Sequence, residues 1–170
     1  MHLTLGRRVA IFVGVFIALT ALYSAATGTV VERFVIEQLT VKPAAWLLSW
    51  LQPSVQAVAI GSRLTAPGGG VNVLNGCEGA DAMFLVIAGV LAAPLSWRHR
   101  AIGVLLGLSL TFAANQMRVI GLFYAARETP TAFAMLHGVV APLAMVLAIA
   151  LWFAWFMRRH GTGAVPLYRL

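Results

Sequence analysis

Charge is what this sequence has least of. Only 10% of its 170 residues are Asp, Glu, Lys or Arg, and 61% are hydrophobic. A soluble domain carries about 25% charged residues, so the balance excludes an ordinary water-soluble globule and points to lipid. Cysteine is nearly absent, with Cys77 standing alone. One thiol excludes an internal disulfide, a CxxC redox pair and a Cys-only metal site, and no metal or cofactor is expected. Acidic residues are also scarce, five against twelve basic ones, for a formal charge of +7. In so apolar a chain that excess reads as a topology signal. It is not a nucleic-acid footprint, because the unbalanced arginines sit beside apolar runs. The GxSxG signature of serine hydrolases is missing too: Ser109 falls mid-run in Gly107-Leu108-Ser109-Leu110.

What the chain does have is long uncharged runs. Backbone amides in hydrocarbon must pair internally, so these read as helices. The expected architecture is an all-α integral membrane protein, a single domain over 1–170 with about four spans near 9–31, 79–97, 101–124 and 133–157. Arg118 is the one charge inside the third. With the N-terminus in the cytoplasm, Arg7, Arg8, Arg98, Arg100, Arg158, Arg159 and Arg169 all fall inside with no acid among them. The remaining five basic and five acidic residues balance outside, as the positive-inside rule requires. Both termini are then cytoplasmic, in a multi-pass membrane protein.

The segment 32–76 is the sizeable extracytoplasmic part. Trp46 to Ile60 is apolar but interrupted by Gln52, Pro53 and Gln56, so it reads as an interfacial or re-entrant helix with Trp46 and Trp50 at headgroup depth. A fifth span over 44–62 would put Arg98 and Arg100 on the wrong side. Pro67-Gly68-Gly69-Gly70 is a turn signal. Ile60–Thr65 before it and Val71–Leu74 after it suggest two short strands, a small hairpin leading into Asn75-Gly76-Cys77-Glu78-Gly79.

Counting back from the cytoplasmic arginines at about 1.5 Å per residue, Cys77 lies 21 residues from Arg98, Arg118 18 from Arg100 and His137 21 from Arg158. Those rises are roughly 27–31 Å against a hydrocarbon core of about 30 Å, so a thiol, a guanidinium and an imidazole reach one outer layer. Singly, each has a bland reading: a small buried hydrophobe, a snorkelling arginine, an interfacial histidine. Together they supply the nucleophile, base and cation that thiol catalysis needs. Cys77 lies between glycines at a helix mouth, where amides favour an anion, while Glu78 and Asp81 oppose it. Asn115, one turn before Arg118, is placed to orient the guanidinium. The competing reading is a non-catalytic scaffold or transporter subunit, with an inert Cys77 and Arg118 paired to an acid such as Asp81.

Asn75-Gly76-Cys77-Glu78-Gly79 before one span, Asn115-Gln116-Met117-Arg118 near the outer end of the next and His137 opening the last resemble the exosortase/archaeosortase family. The compact chain is most similar to exosortase H. The resemblance covers residues from about 60 to 157. It implies a membrane-embedded cysteine protease or transpeptidase of a bacterial inner membrane. Its partners are exported proteins with a C-terminal sorting signal (motif, transmembrane helix, basic cluster), here of the IPTLxxWG-CTERM type. It further implies Cys77 as nucleophile, with Arg118 and His137 as its catalytic partners, supported by Asn115, Gly79 and Asp81. Two departures stand out: Glu78 follows the cysteine where many members have Ser, and the additional spans of larger members are missing. The sequence does not choose an oligomeric state.

Overall fold

The computed structural model describes residues 4–161; Arg169, counted above among the cytoplasmic arginines, lies outside them. Helix α1 (Leu5–Ala25) leads through a turn at Gly28 to α2 (Val30–Ile36), a wide π-turn at Glu37–Val41 and α3 (Lys42–Leu51). Three short strands follow: β1 (Val58–Ile60), β2 (Arg63–Ala66) and β3 (Gly69–Asn72). Then come α4 (Ala80–Ala92), α5 (Trp97–Glu128), α6 (Pro130–Met135), a second π-turn at Leu136–Val140 and α7 (Ala141–His160).

Among the described residues, three helical stretches are long and apolar enough to cross a membrane: Leu5–Ala25, Trp97–Glu128 and Pro130–His160, the last formed by α6, its π-turn and α7. They correspond to three of the four expected spans. The stretch expected over 79–97 is a helix of only 13 residues, Ala80–Ala92, about 20 Å long and short of the ~30 Å core. Pro94 is the physical reason. It pushes the residue before it out of the helical region, and Ala93 is extended at φ −68°, ψ 151°. Non-helical backbone at membrane depth is tolerated only where protein covers it, and Ala92, Ala93 and Leu95 are buried. The carbonyl of Ala93 accepts from Arg100 Nη2 at 3.3 Å.

The spans pack through small residues. A Cβ at Gly107 would lie 2.5 Å from Val86 and 2.6 Å from Trp152, and one at Gly103 2.9 Å from Phe156. These glycines let α5 approach α4 and α7 closely, as small residues do between membrane helices. Val86, Val90, Ile149 and Phe156 form the core at that level. His99 stacks on His160 with ring centroids 4.7 Å apart, so Arg98, Arg100, Arg158 and Arg159 gather at one end of the bundle. At the opposite end Tyr23 meets Phe84 edge-on at 5.8 Å.

A second core lies at that opposite end, where Val41, Leu48, Leu64, Val71 and Phe123 join α2, α3 and the sheet to α5. The expected hairpin is there with one strand more. The turn is Pro67-Gly68, with Gly68 at φ +90°, the Pro-then-Gly pairing that a type II turn demands. Arg127 Nη2 donates to Pro67 O at 3.0 Å and holds the turn on α5. The apolar stretch from Trp46 is helical only to Leu51, with Trp46 and Trp50 largely exposed. Pro53 ends it, and the chain turns into β1.

Candidate active site

The loop carrying Cys77 is fixed from three sides. Val73 N donates to Ser62 O (2.8 Å), extending the sheet, and Cys77 N donates to Leu74 O (2.9 Å), closing a turn through Gly76 at φ +88°. Asn75 Nδ2 reaches the α1–α2 junction and donates to Glu32 Oε1 at 2.5 Å, while the Gly28 amide donates to Glu32 Oε2 at 2.6 Å. Asn115, buried on α5, donates from Nδ2 to Glu78 O at 2.8 Å. Gly79 begins α4 at φ +83°, and a Cβ there would sit 2.8 Å from Asn115 Cγ. Left-handed backbone and a closely packed amide both require glycine at that position.

The Glu32 carboxylate is held below the ordinary range, first by the Asn75 donor and then by the Gly28 amide. A depressed carboxyl contributes stability above its unfolded value of about 4.3 and loses that contribution as pH falls through the lower folded value. Wild type is therefore expected to melt above Glu32→Gln in detergent at neutral pH. The gap should close as the pH falls below about 4. Parallel melting curves across that range would remove Glu32 from the loop's anchorage.

His137 comes from the other side. Pro142 has no N–H and would clash with the carbonyl four residues earlier, so the helix opens into a wide turn just before it. Ala141 N–H bonds Leu136 O, five residues back. The extra residue rotates everything before it by about 100° relative to a regular helix. His137 sits in that turn, stacked on Phe133 at 5.5 Å with planes 5° apart. Its Nδ1 lies 4.0 Å from Cys77 Sγ. Both residues are half-buried and line a cavity of about 20 Å³ with Val71, Asn72, Phe133 and Leu122. That volume is about one water molecule.

Arg118 does not line this cavity. It opens on an adjoining apolar cleft of about 250 Å³ bounded by Phe16, Leu85, Pro142 and Met145, together with Gly79 and Asp81. Its Nε is buried without a hydrogen-bond partner. Of the expected site residues, the fold thus brings Cys77 and His137 face to face. Asn115 and Gly79 lock beneath them, and Arg118 and Asp81 occupy the next cleft. Sequence reasoning passed over Tyr23. It lines a third cavity of about 260 Å³ with Glu78, and the buried Tyr23 hydroxyl and Glu78 carboxylate face each other there. The signal was a tyrosine inside an apolar run. Among the described residues, no three His, Cys, Asp or Glu side chains come together as a metal site.

Fold and site define a multi-pass membrane protein that sets a thiol against an imidazole at one end of a helical bundle, beside a small sheet. A family model described as transmembrane exosortase (Exosortase_EpsH) matches residues 2–154. The chain belongs to the transmembrane exosortase family, a family of membrane transpeptidases and proteases. No curated protein and no solved structure matches it.

Proposed function

We propose that this protein is a cysteine protease or transpeptidase that removes the C-terminal sorting signal of exported proteins at the outer face of the bacterial inner membrane. The signal is the motif–helix–basic-cluster kind, of the IPTLxxWG-CTERM type. The observation that carries the reading is the 4.0 Å approach of Cys77 Sγ and His137 Nδ1, 60 residues apart in sequence. Nucleophile–base pairs in empty sites are often looser than a working hydrogen bond.

For Nδ1 to take the thiol proton, the neutral imidazole carries its hydrogen on Nε2. Cys77 sulfur attacks the scissile carbonyl carbon, and His137 holds the proton released. The tetrahedral intermediate collapses with cleavage of the C–N bond, and His137 protonates the leaving amine. A thioester remains on Cys77. Water or an amine then attacks it, His137 accepts that nucleophile's proton, and the proton returns to the departing thiolate. Water gives proteolysis and an amine gives transfer. Arg118 acts through charge: its guanidinium, whose Nε is buried without a hydrogen-bond partner, favours the thiolate and the oxyanion. The substrate's own helix packs laterally against the spans, with its motif at the sheet end.

Cys77 is the only thiol, which makes the test direct. In intact spheroplasts a membrane-impermeant maleimide is expected to label the protein rapidly at neutral pH, and Arg118→Ala is expected to label more slowly. No labelling until the membrane is dissolved would place the thiol inward or bury it, and would favour a scaffold.

A further inference from the structure

The alternation of hydrogen bonds along the sheet determines which backbone groups of β3 are satisfied and which are not. β2 pairs antiparallel with β3 as Ala66–Gly69, Thr65–Gly70, Leu64–Val71 and Arg63–Asn72. The two-residue turn makes Ala66–Gly69 a hydrogen-bonded pair, and the character of successive pairs alternates. Leu64–Val71 is then bonded, while Thr65–Gly70 and Arg63–Asn72 are not. The 2.8 Å bond from Val73 N to Ser62 O lies one pair further on and agrees with this phase. In the non-bonded pairs the N–H and C=O of Gly70 and Asn72 point away from β2. The sheet order is β1-β2-β3, so they point to the sheet's outer edge.

Proteins usually blunt such an edge with charge, proline or cover. Along β3 the residues are Gly69, Gly70, Val71 and Asn72. The two glycines have no side chain to shield the edge, and the Asn72 side chain is drawn aside to Ser62, whose hydroxyl donates to Oδ1 at 2.8 Å. Val71, Asn72 and Val73 also line the cavity that holds Cys77 and His137. A ladder of unpaired donors and acceptors thus runs directly into the wall of the thiol–imidazole site.

We infer that the free edge of β3 is the substrate-binding track: the segment of the exported protein carrying the scissile bond binds there in extended form, as a fourth strand paired to Gly70 and Asn72. Strand addition of this kind draws affinity from main-chain bonds and leaves specificity to alternate side chains. It would hold the chain straight, the conformation in which a scissile carbonyl is accessible to Sγ. The inference rests on the cysteine-protease reading for its chemistry, and its geometry is separate from it.

Proline at position 72 deletes an outward N–H and no bond to β2, whereas alanine keeps that N–H and trims the side chain that bonds Ser62 and lines the cavity. With an exported reporter bearing an IPTLxxWG-type signal, Asn72→Pro is expected to lower processing about 10- to 100-fold. Asn72→Ala should lose at least about fivefold less than Asn72→Pro, and maleimide labelling of Cys77 should be unchanged in both. Processing by Asn72→Pro at the wild-type rate would overturn the track. A second arm does not depend on how the variant folds. In a synthetic peptide spanning the reporter's cleaved junction, amide-to-ester replacement at successive positions should lower turnover by wild-type protein at every second position. An even response along the peptide would overturn strand pairing whatever Asn72→Pro does. Failure of the underlying reading appears elsewhere, as processing that survives in Cys77→Ala.

Discussion

Cys77→Ala is expected to reduce signal removal from an exported reporter by at least about 10³-fold, with the protein still inserted and folded. Loss of a nucleophile removes the covalent route itself, and such losses exceed those of any orienting group. Folding should survive because Cys77 is only half-buried and packs at the margin of the outer core. Deleting one sulfur there leaves a gap that the loop can close, and neither Asn115 nor Glu32 loses its bond to the loop. Cys77→Ser should be nearly as inactive, since a hydroxyl beside the same imidazole is a far weaker nucleophile without a stronger base. Accumulation of the uncleaved reporter, followed by gel mobility, measures both variants. Processing that persists in the alanine variant would remove the thiol from the chemistry.

His137→Ala should cost about 10² to 10⁴ in processing rate, the usual worth of a positioned acid–base group. Its distinguishing result is that maleimide still reaches Cys77, because the thiol remains on the same loop and the cavity between them only widens. Lost processing with retained labelling assigns His137 to proton transfer. Retained processing would leave its approach to Cys77 without chemical consequence. His137→Gln is the stricter control, since it keeps a polar side chain in the wide turn but cannot shuttle a proton at neutral pH. A glutamine variant as active as wild type would point to orientation alone.

The two kinds of information divide along physical lines. The membrane class, three full spans and the arginine-rich end were legible along the chain, because the cost of burying charge or an unpaired amide in lipid acts on each residue separately. The turn at Pro67-Gly68 was legible for a similar reason, since left-handed backbone is a local property. That Cys77 and His137 lie at the end of the bundle opposite the clustered arginines was also legible, because the length of a helical stretch follows from its residue count.

Direction around each helix axis was not. A regular period of 3.6 misplaces His137, because the wide turn before Pro142 inserts a residue and rotates what precedes it. Only the packed structure shows the imidazole turned onto Phe133 and toward Cys77, and Arg118 opening into the next cleft rather than the same one. The shortness of α4 was hidden in the same way. Its composition is apolar after Asp81, and the break at Pro94 is tolerated because Ala93 and Leu95 are buried. The sequence by itself determined that a lone thiol would lie at the end of a membrane bundle away from its arginine cluster. Tertiary packing alone decided which side chain meets it, because azimuth depends on contacts between segments distant in the chain.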